Sequence, residues 1–267
     1  MSENILTVKD LKTYFYTASG VAKAVDGVSF NIAKGETMGI VGESGSGKSV
    51  TSSSIIRLLP PRTGKIVGGS IEFEGKDVLA LSKKELNDFR GKDIAVIFQD
   101  PMTSLDPVFK IGKQMTEMIM AHQNVTKDEA WKMAVEALSK VGIPEPEKRM
   151  NSYPYELSGG MCQRIMIAMA IVSNVDLLIA DEPTTALDLT VQAVVLNEIK
   201  KLRDAGMSIM LITHDLGIVA QMADYVYVMN DGKIVESGNV SDIFDHPQHE
   251  YTKTLLGSAE EKQEVMI

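Results

Sequence analysis

The pattern of apolar and polar positions in the first hundred residues predicts several strands and two helices. Apolar side chains occupy every second position in some segments, as in a strand with one buried face, and recur at helical spacing in others. The predicted strands are 5–9, 25–32, 37–41, 66–73 and 94–98. The predicted helices are 48–59, which ends at Pro60 and Pro61, and 82–91. A glycine-rich loop joins strand 37–41 to helix 48–59.

From residue 110 onward the pattern becomes helical and then returns to alternating strands and helices. Residues 110–142 have helical spacing and almost no strand signal. A helix at 158–172 begins at a Ser-Gly-Gly sequence, after a loop that contains Pro154. The remaining predicted elements are strands 177–180 and 207–213, helices 189–205 and 216–222, a hairpin at 225–235 and a polar helical segment at 240–256. The chain is therefore predicted to have an α/β core with a helical insert at about 100–170.

Length, charge and cysteine content exclude several classes of protein. The 267 residues are enough for one large α/β domain or two small ones. The net charge of −9 argues against nucleic acid as the main ligand, so we expect no nucleic-acid partner. Cys162 is the single cysteine, which excludes an intrachain disulfide and a multi-cysteine metal site and fits the reducing cytosol.

No segment of the sequence has the length and apolarity of a membrane span. The longest apolar run, near Ile165 to Val172, has about eight residues, and a span needs about 18. Met1 to Asp10 lacks a basic region, so we expect no signal peptide, and neither end carries a lipidation cysteine. A role at a membrane therefore requires a partner protein.

Residues 42–49, Gly-Glu-Ser-Gly-Ser-Gly-Lys-Ser, fit the phosphate-loop pattern G-x-x-x-x-G-K-[ST]. They lie between an apolar strand and a helix, where backbone N–H groups and the positive helix end bind phosphate. The predicted nucleotide contacts here are Gly42, Glu43, Ser44, Gly45, Ser46, Gly47, Lys48, Ser49 and Val50. We expect Lys48 to bridge the β- and γ-phosphates and Ser49 to bind Mg²⁺. The alternative is a chance glycine-rich turn, which the strand–loop–helix context disfavours.

Two carboxylates, Asp181 and Glu182, end the apolar strand at 177–180. Neighbouring side chains at a strand end point in different directions. One acid can therefore reach the Mg²⁺ shell while the next faces an attacking water. We assign Asp181 to the metal and Glu182 to water activation. The alternative is an acidic strand end that caps the following loop.

Two further polar side chains follow predicted strands, at the edge where open α/β sheets bind ligands. His214 comes after strand 207–213 and is a candidate for contact with the γ-phosphate, although a lone histidine is more often structural. Gln99 comes at the end of strand 94–98 and could reach Mg²⁺ or the attacking water. Glu182, His214, Lys48 and Gln99 are the predicted catalytic residues.

Leu157-Ser158-Gly159-Gly160-Met161 resembles the signature motif of ATP-binding-cassette (ABC) ATPases, usually Leu-Ser-Gly-Gly-Gln. The other family motifs are present in the family order. They are the Walker A loop at 42–49, the Q-loop at Gln99, Walker B with its catalytic glutamate at Asp181-Glu182, the D-loop at Ala186-Leu187-Asp188 and the switch histidine at His214. The family also places an adenine-stacking aromatic near Phe15, for which Tyr14 and Tyr16 are rivals.

The resemblance covers residues 5 to 240 and implies a fold class. That class is α/β, with a P-loop NTPase (RecA-like) core, an N-terminal antiparallel β subdomain and an inserted α-helical subdomain. It implies a single ABC ATPase domain over residues 1–257 that binds ATP and Mg²⁺, with Asp188 among the nucleotide contacts. We expect residues 258–267 to form a polar, disordered tail.

A second anion site at the signature loop implies a dimer. Ser-Gly-Gly at a helix N-terminus binds anions, and one chain cannot use two phosphate sites on opposite sides of a helical insert for one ATP. In the family, Ser158, Gly159 and Gly160 of one subunit close over the γ-phosphate held by Lys48 of the other, head to tail. Met161 replaces the usual glutamine but leaves the backbone donors intact, so we expect activity to survive.

A narrower resemblance points to an importer group. Residues 98–107, 160–170 and 249–252 resemble segments of the oligopeptide, dipeptide and nickel importer ATPases. This implies uptake of oligopeptides or dipeptides, with nickel or a metal chelate as the alternative. The cysteine-rich motif of many relatives is missing, so no iron–sulfur cluster is expected. Methionines 102, 115, 118 and 120 either fill the core or form a groove for a helix of a membrane subunit.

The resemblance also implies partners and a location. The partners are a second ABC ATPase subunit (identical or related), two transmembrane permease subunits and, indirectly, an extracytoplasmic substrate-binding protein. The chain is expected at the cytoplasmic face of the cell membrane as a peripheral subunit. Two other classes are disfavoured: a soluble cassette acting on DNA or ribosomes, by the single cassette and negative charge, and a nucleotide switch without turnover, by Glu182 and His214.

Overall fold

The computed structural model describes residues 3–185 and 187–264. Within them, strands β1 to β10 are Asn4–Thr17, Gly20–Ala33, Thr37–Val41, Gly64–Phe73, Lys76–Asp77, Ile94–Ile97, Leu177–Asp181, Ser208–Ile212, Tyr225–Asn230 and Lys233–Asn239. Helices α1 to α11 are Lys48–Ile55, Lys83–Lys92, Pro101–Ser104, Ile111–His122, Lys127–Lys140, Pro146–Arg149, Gly159–Val172, Leu189–Asp204, Leu216–Met222, Val240–Asp245 and Glu250–Glu264. Among the described helices, none has the length and apolarity that a membrane span requires.

The chain divides into two compact units. The first contains the chain up to Leu86 and from Ser208 onward, and the second is Asn87–Met207. The predicted helical insert at 100–170 falls inside the second unit, where α3 to α7 occupy it. A single domain over residues 1–257 stays a prediction.

The first unit contains an antiparallel sheet with the strand order β2-β1-β4-β5. The strands predicted at 5–9 and 25–32 are the apolar halves of a longer hairpin, β1–β2. The pairing of β1 with β2 shifts register after Val8 and again after Thr13, so side-chain alternation breaks while main-chain pairing continues to Thr17. This is why the pattern predicted strands shorter than those observed.

The first unit also contains a mainly parallel set of strands, in the order β10-β9-β3-β8. β3 is parallel to both β8 and β9, and all five residues of β3 and of β8 are buried. Ile40 pairs with Ile212 and Val41 pairs with Val228. The carboxyl ends of β3 and β8 therefore meet at one edge, where the glycine-rich loop and His214 begin.

Helix α1 ends at Ile55, so the prediction that it extends to residue 59 is wrong. Arg57 has a left-handed φ of 54°. The amide of Leu58 donates to the Ser53 carbonyl at 2.8 Å, and the amide of Arg57 donates to the Ser54 carbonyl at 3.0 Å. This pair of bonds is a Schellman ending. It stops the helix before the two prolines are reached.

Residues 240–256, predicted to be polar and helical, are divided between two helices, α10 and α11. Pro247 lies in the break between α10 and α11. α11 continues to Glu264, so the expected disordered tail from residue 258 is helical at its start. Residues 265–267 of that tail lie outside the described residues.

The second unit has a pair of parallel strands, β6 and β7, and a helical core. Ile97 pairs with Ala180, so the carboxyl ends of β6 and β7 lie at one edge. The helices α4, α5 and α7 pack through fully buried side chains such as Met115 and Ile165. Met102 and Met120 are exposed, in contrast. Core filling therefore explains Met115 but not these two methionines.

Candidate functional site

The glycine-rich loop, residues 42–49, connects the end of β3 to the start of α1. Gly42 and Gly47 have φ values of 154° and 106°, which favour glycine. A Cβ at Gly42 would overlap the Met229 carbonyl, and one at Gly47 would overlap the Ala24 carbonyl. The amide of Gly232 donates to the Ser46 carbonyl at 2.9 Å. The loop is therefore packed tightly against the main chain of neighbouring strands.

The Lys48 ammonium lies buried inside this loop. Its Nζ donates to the carbonyls of Gly42 and Glu43, at 2.7 and 2.8 Å, and approaches Ser46 Oγ at 3.4 Å. The Ser46 amide donates to the same Glu43 carbonyl at 3.2 Å. Phosphate oxygens are stronger acceptors for an ammonium than carbonyls are. The lysine is thus held where a phosphate can take over its hydrogen bonds.

The outer turn of the loop fits an anion. Ser44 and Gly45 are exposed, and their amides donate no hydrogen bond to any residue that the structure describes. A Cβ at Gly45 would meet no atom within 4 Å. The first turn of α1 carries no acidic side chain that would oppose an anion at its N-terminus. Ser49 and Val50 are half-buried at the start of this helix.

Three neighbouring rings of β1 are candidates for stacking on adenine. Tyr14 donates to Asp26 Oδ1 at 2.6 Å, and this hydrogen bond raises the pKa of the Tyr14 phenol. The exposed Tyr16 ring has the Lys65 Nζ 5.5 Å from its centroid. Phe15 is the half-buried ring without a polar group. Its assignment to adenine stays a prediction.

His214 is exposed two residues beyond the end of β8. The amide of Thr213 donates to the Ile40 carbonyl at 3.3 Å, which joins this strand end to the end of β3. Asp215 then caps α9 by accepting the Ile218 amide at 3.2 Å. The first unit therefore places His214 at the same strand edge as the glycine-rich loop.

The second unit places Asp181 and Glu182 at the end of β7, and both are buried. Gln99 is exposed two residues beyond the end of the parallel neighbour β6, so all three share one strand edge. Glu182 has a left-handed φ of 51°, which costs a non-glycine residue roughly 1–2 kcal/mol. Thr185 Oγ1 donates to Glu182 Oε2 at 2.9 Å. The sequence analysis missed Thr185.

The signature segment begins α7 as predicted. Ser158 is the N-cap, and its Oγ accepts the Met161 amide at 3.3 Å. Ser158 and Gly159 are exposed, and a Cβ at Gly159 would meet no atom within 4 Å. Cys162 points inward instead, and burial raises the pKa of its thiol. The Ser-Gly-Gly backbone is therefore open to a ligand, whereas the cysteine is part of the core.

Gln163 links the signature helix to the loop after Glu182, and the sequence analysis missed it. It is 1% exposed, and its Nε2 donates to the Pro183 carbonyl at 3.0 Å. Its Oε1 has no hydrogen-bond partner among the described residues. A single amide among the apolar residues of α7 was the available signal. The bond joins two segments that sequence reasoning treated separately.

Asp188 has a structural role that the structure defines. Its Oδ1 accepts the Val191 amide at 3.0 Å, so it is the N-cap of α8. Ala186 of the predicted D-loop lies outside the described residues. The contact of Asp188 with nucleotide stays a prediction. The assignment of Ser49, Gln99 and Asp181 to a metal ion also stays a prediction.

Comparison with known proteins adds independent findings. The family model described as "ABC transporter" matches residues 25–185. The oligopeptide transport ATP-binding protein OppD of Bacillus subtilis is 56% identical over 95% of this chain and 71% of its own length. The dipeptide transport ATP-binding protein DppD of Bacillus subtilis is 53% identical over 96% of this chain and 77% of its own length.

Solved structures agree with the predicted fold class. The ATP-binding cassette MJ0796, a dimer in a post-hydrolysis state bound to ADP and Pi, aligns with a TM-score of 0.80 and 26% identity. The alignment covers 88% of this chain and 98% of that one. CbiO1 of Clostridium perfringens, part of the ABC transporter complex cbiONQ, aligns with a TM-score of 0.73 and 28% identity over 92% of each chain. This chain therefore has the ABC ATPase fold and belongs to the ABC transporter family of ATP-binding proteins.

Proposed function

We propose that this chain is the ATP-binding and ATP-hydrolysing subunit of an ABC importer for oligopeptides or dipeptides. The observation that carries the proposal is the buried Lys48 ammonium inside a glycine-rich loop whose outer amides are free to bind phosphate. The names of relatives such as OppD and DppD support peptides rather than nickel as the cargo.

The residues of the chain have separable roles in hydrolysis. Lys48 and the loop amides would bind the β- and γ-phosphates and stabilise negative charge as it develops. Glu182, held by Thr185, would orient the attacking water and accept its proton. His214 would contact the γ-phosphate from the end of β8. Phe15 would stack on adenine.

Mg²⁺ fits the oxygen-rich chemistry of the proposed ligands Ser49, Gln99 and Asp181. The ion, when bound, would neutralise charge on the β- and γ-phosphate oxygens. Asp181 is buried at a strand end, which suits a carboxylate that faces a cation rather than water. Ser49 lies in the first turn of α1, next to Lys48.

The exposed Ser158 and Gly159, followed by the half-buried Gly160, support a head-to-tail dimer. In it, each signature loop would close over the γ-phosphate bound by Lys48 of the partner subunit. The peptide path would lie in two membrane permease subunits, with a separate extracytoplasmic binding protein. The chain would sit at the cytoplasmic face of the membrane as a peripheral subunit.

Two variants test the enzymatic part of this proposal. Lys48→Ala should lose ATP binding, measured by calorimetry with ATP and Mg²⁺. Glu182→Gln should bind ATP normally but release phosphate at least about 100-fold more slowly, because the carboxylate that accepts the proton is gone. Normal ATP affinity in the first variant, or normal turnover in the second, would contradict the assigned roles.

The cargo needs a different experiment. The chain should be co-purified with its membrane subunits, and uptake of labelled dipeptides, oligopeptides and Ni²⁺ should be compared in vesicles. ATP-dependent uptake of peptide alone supports the proposal. Uptake of Ni²⁺ without peptide would reassign the cargo while leaving the ATPase roles intact.

A further inference from the structure

A tyrosine near the C-terminus contacts the glycine-rich loop directly. The amide of Glu43 donates to the Tyr251 hydroxyl at 2.9 Å, across a sequence separation of 208 residues. Tyr251 lies in the first turn of α11, outside the residues 25–185 that match the family model. The glycine-rich loop is thus contacted by a segment that lies outside the part of the chain matched by the family model.

The bonded amide belongs to the Gly42–Glu43 peptide group, whose carbonyl, that of Gly42, accepts the Lys48 ammonium at 2.7 Å. The carbonyl of Glu43 accepts the Lys48 ammonium at 2.8 Å and the Ser46 amide at 3.2 Å. The Glu43 side chain itself is exposed. Glu43 is therefore held at both its amide and its carbonyl. The bond to the Tyr251 hydroxyl limits rotation of the backbone whose carbonyls accept the Lys48 ammonium.

Tyr251 is in turn held firmly at the start of α11. Its amide donates to His249 Nδ1 at 3.1 Å. The Glu236 carboxylate accepts the amides of Gln248 and His249, at 2.7 and 3.0 Å. These bonds fix the chain just before the tyrosine. The hydroxyl therefore approaches the loop from an anchored position.

The ring of Tyr251 packs on an apolar cluster that contains the last residue of strand β3. That cluster includes Val41, the residue directly before Gly42, together with Leu216 and Val219. Burial raises the pKa of the Tyr251 phenol, so the group stays neutral at physiological pH. A neutral hydroxyl on a packed ring is suited to hold an amide without adding charge near phosphate.

We propose that Tyr251 is a positioning residue for the nucleotide site, and this rests on the proposed function of that site. Its hydroxyl holds the Glu43 peptide so that Lys48 and the loop amides are arranged for a polyphosphate before it binds. In this role the tyrosine acts through the loop and not through a contact with the substrate. Without the hydroxyl the loop samples more conformations, and binding has to order them.

The test is Tyr251→Phe, which removes one oxygen and keeps the ring. Calorimetry with ATP and Mg²⁺ should show about two- to tenfold weaker binding, the range expected for one neutral hydrogen bond. KM for ATP should rise by the same factor, while kcat at saturating ATP should change by less than about twofold. The melting temperature without nucleotide should stay close to that of the wild type.

Tyr225→Phe is the matched control. Tyr225 lies in β9 of the same unit, and its hydroxyl is 3.4 Å from Ser237 Oγ on the neighbouring strand. This variant loses the same atom without touching the loop, so its ATP affinity should equal that of the wild type. An equal loss of affinity in both variants would point to a general effect of removing a phenol oxygen and would overturn the inference.

The remaining outcomes also decide. Wild-type ATP affinity in Tyr251→Phe would overturn this inference alone and leave the proposed function standing. A drop in melting temperature that accounts for the weaker binding would assign Tyr251 a purely structural role, which also overturns it. Absence of ATP binding by the wild-type chain would overturn the proposed function and, with it, this inference.

Discussion

Glu182 has a backbone conformation that a glutamate seldom adopts, with φ at 51°. Strain of this kind persists only where the surroundings hold the residue in place. Here Thr185 bonds its carboxylate and Gln163 bonds the next carbonyl, that of Pro183. The residue that we assign to water activation is therefore positioned by two side chains that carry no chemistry of their own.

Removing the Thr185 hydroxyl should weaken that positioning. Thr185→Val keeps the shape of the side chain but deletes the donor to Glu182 Oε2. We expect kcat to fall at least about tenfold, because one hydrogen bond to a carboxylate is lost, with KM for ATP unchanged. Steady-state phosphate release measures both constants.

The matched control for this prediction is Thr254→Val. The Thr254 hydroxyl donates to the Glu250 carbonyl at 3.0 Å on the exposed face of α11, and it has no other hydrogen bond to a residue that the structure describes. Its removal should leave kcat and KM as in the wild type. If Thr185→Val retained full turnover, Thr185 would have no part in orienting Glu182.

At the level of whole elements, the glycine-rich loop is shaped by what surrounds it. Gly47 has a φ of 106°, and the main chain of β2 occupies the space where a side chain would begin. Strand and loop are thus fitted to each other through backbone atoms, which cannot move aside as a flexible side chain can. The fit between the loop and β2 therefore requires a residue without a Cβ at position 47.

Gly47→Ala should therefore destabilise the fold by more than the backbone strain that a positive φ imposes on alanine, because the new Cβ would also overlap the Ala24 carbonyl. Gly75→Ala is the control, because Gly75 has a φ of 77° but nothing lies within 4 Å of its added Cβ. We expect Gly75→Ala to lower the free energy of unfolding by about 1–2 kcal/mol, the cost of the left-handed conformation. Gly47→Ala should lower it by about 1–3 kcal/mol more, because the new Cβ overlaps the backbone. Urea unfolding measures both, and equal losses would contradict the packing seen around the loop.

The start of α11 depends on the ionised form of Glu236. Burial raises the pKa of this carboxyl, but the neighbouring Thr252 side chain and the hydrogen bonds from the amides of Gln248 and His249 outweigh that effect and lower the pKa overall. A carboxyl whose pKa is lowered on folding stabilises the fold above its unfolded pKa and loses that contribution as the pH falls through its folded pKa.

Glu236→Gln should therefore be less stable than the wild type at neutral pH, and the difference should shrink as the pH falls from about 5 to about 3. The measurement is the urea midpoint of both proteins at several pH values. A difference that stays constant over this range would show that ionisation of Glu236 does not contribute.

Local sequence patterns predicted those elements in which neighbouring residues determine the structure. Strand β3 and helix α9 match their predictions residue for residue, because each is a short apolar segment bounded by turn residues. The end of α1 was missed because an arginine, Arg57, gives no sequence signal for the left-handed conformation that it adopts there. The break before α11 was missed because a carboxylate of β10, that of Glu236, holds the chain at this point. Tyr251 and Gln163 were missed as supports because their contacts join residues distant in sequence.

At the scale of the whole molecule, the exposed signature loop predicts assembly. Ser158 and Gly159 present an exposed helix N-terminus, and a Cβ at Gly159 would meet no atom within 4 Å. A site of this kind attracts an anion, and in the proposed dimer that anion is the γ-phosphate on the partner subunit. In that dimer, ATP can join the two subunits only if both the glycine-rich loop of one subunit and the signature loop of the other are intact.

This can be tested in the Glu182→Gln background, which should retain bound ATP. With ATP, that variant should elute as a dimer in size-exclusion chromatography. Adding Gly159→Glu should keep it monomeric, because a carboxylate at the anion site repels the phosphate, whereas Gly159→Ala should still dimerise. Dimerisation of the glutamate variant would contradict the proposed role of the signature loop.

Lys48 shows how such a site discriminates among anions. Its ammonium already donates to oxygen atoms of Gly42, Glu43 and Ser46, so any incoming ligand competes with the protein's own acceptors for it. A ligand with one phosphate replaces few of these bonds, whereas a triphosphate replaces several at once and gains from its valency. We therefore expect this competition within the protein to favour polyphosphates over inorganic phosphate at the proposed site.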